Sequence, residues 1–165
     1  METVIQLNSG AKLSPHFTLG EMTTSNHKEV YNIPSHEAIA NLKRLCGWLE
    51  VLRERYNALY VQGEFCRISN SAEPIIIKSG YRSPQLNRKI GGAANSNHLT
   101  GCAVDIRVAG MEQAFRYATI LLDYSDESKQ EFDELLIEKN RYGAIWVHFA
   151  VRASGNRRKV CFINA

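Results

Sequence analysis

From Ser35 to Tyr56 the apolar residues Ile39, Leu42, Leu45, Cys46, Leu49, Leu52 and Tyr56 recur every three or four positions. That period lays them along one stripe of an α-helix of about five turns, with Lys43, Arg44, Glu50, Arg53 and Glu54 on the solvated side. Ser35 after Pro34 supplies the N-cap and Glu37 an acidic first turn. A stripe of this length has to be buried against a second layer, which restricts the chain to a few layered architectures.

The partners on offer are short β-branched runs. Pro74 to Lys78 reads as a buried strand ending at Ser79-Gly80, and Cys102 to Ile106 as a second. Glu131 to Glu138 and Ala144 to Val151 read as two more, joined by a turn at Asn140–Gly143. Arg158 to Ile163 adds an edge strand after the turn residues Ser154-Gly155-Asn156. Before the long helix, residues 13–25 predict an extended entry and a short helical turn that bury Phe17, Leu19 and Met22. There His16 reads as a surface histidine and Glu21 as a first-turn carboxylate. Residues 58–73 suggest a strand followed by a polar loop. Ser83-Pro84 opens a short helix that Gly91-Gly92 stops, and 93–101 is loop. A second amphipathic helix runs from Met111 to Tyr124, with Met111, Ala114, Phe115, Ala118, Leu121 and Leu122 along one side, before a polar connection at 125–131. Helices on one side of a mainly antiparallel sheet make the class α+β.

With 165 residues and 44% apolar content, a single domain over 1–165 with a sizeable core is expected. The net charge is only +3 and the basic residues are scattered, apart from Arg157-Arg158-Lys159, which excludes an evident nucleic-acid stripe. The first residues, METVIQLNSGAKLS, lack a basic region followed by an apolar one, so no signal peptide is expected, and no run is long enough for a membrane span. Cys46, Cys66, Cys102 and Cys161 form no CxxC pair and read as reduced, mostly buried thiols, with a disulfide as the alternative, for which the sequence does not choose among the full pairings. A monomer made in the cytoplasm is expected.

The chemistry concentrates in SGYRSPQLNRKIGGAANSNHLTGCAVDI, Ser79 to Ile106. It closes on His98 and Asp105, donors of the kind a catalytic Zn²⁺ uses, and the best third donor is His148 in AIWVHFAV. Taken alone, a His-x6-Asp pair is weak: the histidine could cap a strand and Asp105 could pair with Arg107.

The phrases SGYRSPQLN, GGAANSNHLTGCAVDI and WVHF resemble those of the M15 peptidases, zinc D-Ala-D-Ala carboxypeptidases and related murein endopeptidases. FTLGEMTTS ahead of a long helix is similar to the D-alanyl-D-alanine carboxypeptidase-like branch of bacterial and phage proteins, and the resemblance runs from about Leu13 to Val151. Its central pattern is present at Ser96, His98, Gly101, Ala103 and Asp105. The resemblance implies a hedgehog/DD-peptidase-like fold, zinc on His98, Asp105 and His148, and Arg82 facing the substrate. A guanidinium there can grip a carboxylate or stabilise an oxyanion. Ser96 is a candidate for the substrate backbone or for bracing the loop, and Trp146 for a cleft wall or core. The wider family places a glutamate three residues before the last histidine, where this chain has Ile145. The general base is therefore expected from the preceding strand, which offers Asp133, Glu134 and Glu138. Glu138 is favoured if an even register puts it on the face of His148, with Asp133 in reserve. The implied activity is hydrolysis of peptidoglycan stem peptides, at D-Ala-D-Ala or an L-Ala-D-Glu-type bond, by metal-activated water, in a phage- or prophage-encoded endolysin-like enzyme acting at the cell wall or periplasm. The alternative is a zinc-bearing cell-wall-binding or phage structural module without catalysis.

Overall fold

The computed structural model describes residues 8–63 and 68–165. The chain opens with a small hairpin, β1 (Lys12–Ser14) and β2 (Phe17–Thr18), and a single helical turn, α1 (Leu19–Met22). Thr18 and Glu21 cap that turn reciprocally, so Glu21 serves the backbone, while His16 pairs with Glu50 on the surface. Phe17, Leu19 and Met22 are buried.

The long helix α2 spans His36–Tyr56, and the Ser35 hydroxyl accepts the Ala38 N–H at 3.1 Å. Its buried side includes Trp48 in addition to the periodic residues, of which Ile39 is only partly buried. It does not give way to a strand: Asn57–Val61 form a π-helical turn. The cause is the Asn57 side chain, which donates to the Arg53 and Glu73 carbonyls and accepts the Glu73 N–H, tying the helix end to the returning chain. Cys66 lies outside the described residues; Cys46 and Cys102 are buried free thiols and Cys161 is half-buried.

The sheet follows. Strand β3 (Ile77–Ser79) leads into α3 (Pro84–Lys89), then a 3-10 turn at Asn97–Thr100 and β4 (Ala103–Arg107). Helix α4 runs from Met111 to Ser128, beyond the expected end, because buried Ser125 donates to the Gln130 carbonyl and Lys129 closes the helix with φ of 58°. Phe115 was expected on its buried side but is 50% exposed, in edge contact with Phe162. Strands β5 (Glu134–Lys139), β6 (Ile145–Ala150) and β7 (Lys159–Asn164) complete a five-stranded sheet of order β3-β4-β6-β5-β7. All pairs are antiparallel except β5 with β7. Both edges of β6 are occupied by β4 and β5, and the returning β7 adds to the outer edge of β5, which runs in its own direction. No described helix is long and apolar enough to cross a membrane.

Strand alternation divides the sheet by chemistry. Val104 and Ile106, Leu135 and Ile137, and Val147 and Phe149 join α2 and α4 in the core. The intervening residues, Asp105 on β4, Glu134, Leu136 and Glu138 on β5, and Trp146 and His148 on β6, face the other way. The polar residues that interrupt these apolar runs therefore meet on one surface.

Candidate metal centre

In register across the sheet, Asp105 pairs with His148, and His148 with Leu136. Asp105 and His148 are thus direct neighbours, with Nδ1 of His148 2.9 Å from Oδ1 of Asp105. His98 arrives from the 3-10 turn that precedes β4. Ser96 caps this turn, its hydroxyl accepting the His98 N–H at 3.2 Å. Gly101 ends it in the left-handed region, φ 74°, pressed against the Ala38 carbonyl, where any side chain would collide. Nε2 of His98 then lies 3.3 Å from the same Oδ1. One donor atom from each of His98, Asp105 and His148 lies within 4.8 Å of the others, and all three residues are buried.

The outer nitrogen of each ring is committed. Nδ1 of His98 is 2.6 Å from the Gly80 carbonyl, which can only accept, so Nδ1 carries a proton there and Nε2 is the nitrogen turned inward. Gly80 lies so close to the Met22 carbonyl that a Cβ there would overlap it. His148 is turned the other way: Nε2 is 3.2 Å from Oε1 of Glu134, leaving Nδ1 inward. Two imidazoles locked in opposite senses around one carboxylate oxygen form a donor set that suits zinc and similar transition ions.

Charge follows this geometry. Burial acts to raise Asp105, but the two imidazoles outweigh it and hold the carboxyl well below the usual range. Burial acts to lower His148, but hydrogen bonds to Asp105 and Glu134 outweigh it and push it up to about 10. The remaining oxygen of Asp105, Oδ2, accepts from Arg82 Nη2 at 3.0 Å, so its guanidinium partner is Arg82 and not Arg107. Arg82 also donates from Nε to Ser79.

These residues floor an open cleft of about 400 Å³ whose walls include Ser96, Asn97, Glu134, Leu136, Glu138, Arg152, Arg157 and Lys159. Glu138 shares the face of His148, two residues along from the His148–Leu136 pair. Burial holds its carboxyl above the ordinary value of 4.5, with the Asp105 charge adding and His148 opposing. Asp133 is elsewhere: fully buried, off the cleft lining, and gripped by Arg157 through Nε and Nη2 and by Asn97. Trp146 pairs with Glu138 across the strands and lies under the Lys78 ammonium, 4.1 Å from ring centroid to Nζ, but does not line the cleft. Sequence reasoning singled out neither Asn97 nor Arg152 nor the Gly80 carbonyl. Glu134 had the parity of Glu138, which is the signal that places it on the same face.

A family model described as Peptidase M15 matches residues 15–125, 111 of the chain's 165 residues. The chain belongs to the peptidase M15 family. M15 membership supports a peptidase function and, M15 enzymes being metallopeptidases, gives the buried His-Asp-His group a metal-binding context. The matched span of this M15 chain holds Arg82, Ser96, His98 and Asp105 and ends before β5 and β6, so Glu138 and His148 join them through the fold alone. No curated protein matches the chain.

Proposed function

We propose that this M15 protein is a zinc-dependent peptidase of peptidoglycan stem peptides, cutting a D-Ala-D-Ala or an L-Ala-D-Glu-type bond. The observation that carries the proposal is the convergence of His98 Nε2, Asp105 Oδ1 and His148 Nδ1 at the floor of an open cleft beside a carboxyl of raised basicity, Glu138. Three protein donors facing a cleft are the catalytic pattern, whereas closed sets of four are structural. His98, Asp105 and His148 would hold the ion, which when bound supplies Lewis acidity toward the peptide carbonyl and lowers the pKa of water.

The chain's own groups do the rest. Glu138 takes the proton of the attacking water and delivers it to the leaving amine, a task its raised pKa suits. Arg82 uses Nε and Nη2 on Ser79 and Asp105, which fixes the guanidinium plane and leaves Nη1 for a substrate carbonyl or carboxylate. Ser96 braces His98 and lines the cleft, where its hydroxyl hydrogen can meet the peptide backbone. Trp146 stands opposite Glu138 on the neighbouring strand, outside the cleft lining. The cations Arg152, Arg157 and Lys159 along the cleft suit the carboxylates of a stem peptide.

The test is incubation of the purified protein with synthetic stem peptides carrying each bond, with chelator, and with zinc restored, reading new amines by mass spectrometry. Chelator-sensitive, zinc-restored cleavage of one bond type is expected. Stoichiometric zinc with no cleavage of either would make the protein a binding module.

A further inference from the structure

Glu134 is placed to do something other than hydrolysis. Its Oε1 receives the Nε2–H of His148 at 3.2 Å and the Asn97 amide at 2.8 Å. Asn97 is the residue before His98, and its own oxygen accepts from Arg152 Nε at 3.0 Å. The same amide nitrogen donates to Asp133, 2.8 Å away. One carboxylate oxygen therefore ties the turn that carries one imidazole to the ring of the other. Resting on the metal-centre reading above, the geometry points to Glu134 as a positioning residue: held by Asn97, it orients the His148 ring so that Nδ1, and not Nε2, faces the ion. It acts through His148 and does not touch the reacting atoms.

Three features make this arrangement specific. A neutral imidazole has one N–H and one lone pair, so an acceptor fixed at Nε2 decides which nitrogen can ligate. His98 has the matching device in the Gly80 carbonyl, but on the opposite nitrogen. The cleft therefore uses a backbone acceptor for one ring and a side chain for the other, and the side chain can be replaced. Glu138 cannot substitute for it, since β5 places it on the far side of Leu136.

The experiment compares the full-length parent with Glu134→Gln and Glu134→Leu by two readouts that need no turnover. The first is affinity for zinc by competition with a chromophoric chelator. The second is ¹¹³Cd–¹⁵N coupling in the cadmium-loaded, histidine-labelled protein, which reports the ligating nitrogen of each ring. The parent is expected to couple through Nδ1 of His148 and Nε2 of His98. Glu134→Gln keeps an acceptor oxygen and is expected to hold the ion within a few-fold of the parent with the same coupling pattern. Glu134→Leu is expected to lose about 10–100-fold in affinity and to show mixed or Nε2 coupling at His148, while His98 is unchanged. Unaltered affinity and coupling in Glu134→Leu overturns the positioning role and leaves the metal centre standing. A parent that binds no ion at these histidines overturns the metal centre and this role with it.

Discussion

Glu134 and Glu138 project from the same face of one strand, on either side of Leu136, and are shifted in opposite directions. The hydrogen bond from His148 holds Glu134 low, against its burial, while burial holds Glu138 high. Two carboxylates pushed apart in this way are suited to different tasks, one fixed in charge and one able to exchange a proton.

Glu138→Gln is accordingly expected to lower kcat by about 10²–10⁴-fold with zinc content unchanged. In the parent, the acid limb of the kcat/KM profile should lie above the ordinary glutamate value of 4.5, since the base must be ionised and its pKa is raised. Steady-state kinetics across pH with metal analysis on the same samples checks both. Full activity in Glu138→Gln would remove it from the reaction.

Proton release on metal binding follows from His148. With its pKa pushed up to about 10, the ring carries both protons at neutral pH in chelated protein. An ion on Nδ1 must displace one of them while Nε2–H stays with Glu134. At least about one proton should therefore leave per ion bound at pH 7–8, and affinity should rise as pH increases toward 10. Calorimetry in buffers of different ionisation enthalpy measures the number directly; no release would contradict the assignment.

Gly80 links the fold to the site. A Cβ at this position overlaps the Met22 carbonyl, so Gly80→Ala must shift the backbone whose oxygen holds His98 Nδ1. A loss of about 1–3 kcal/mol in stability is expected, with weaker zinc binding measured on the folded fraction. Denaturant unfolding and chelator competition test the two effects separately.

Asp133 makes a stability prediction. Burial acts to raise it, but hydrogen bonds from Arg157 and Asn97 outweigh burial and hold it below its ordinary 3.8. A depressed carboxyl stabilises the fold above its unfolded value and loses that contribution as pH falls through the folded one. The Tm gap between parent and Asp133→Asn should thus be full above about pH 4 and close as the solution is acidified further. A gap independent of pH would mean that the charge of Asp133 contributes nothing.

Much of the fold and of the site is legible in the sequence, for reasons that differ by element. The stripe of α2 was legible because its period is local, and so was the Ser83-Pro84 helix start, where the Ser83 hydroxyl accepts the Leu86 N–H at 3.1 Å. The shared face of Glu138 and His148 needed only a turn at Asn140–Gly143 and parity along two strands. What stayed hidden depends on long-range contacts. The Asn57 bonds that turn a predicted strand into a π-helical turn reach Glu73, and Asp105 finds Arg82 across the sheet instead of nearby Arg107. The parallel pairing of β7 depends on which edges earlier strands leave free. Asn97 falls in the stretch that reads as loop, and nothing local marks it because its partners, Asp133 and Glu134, lie more than thirty residues away.

The central claim is tested most directly by metal stoichiometry of the purified protein beside His98→Ala, Asp105→Ala and His148→Ala. Elemental analysis after dialysis against zinc should give about one ion per parent chain, with each variant folded by circular dichroism and losing the ion. A folded parent that retains no zinc, or variants that keep it in full, would contradict the account.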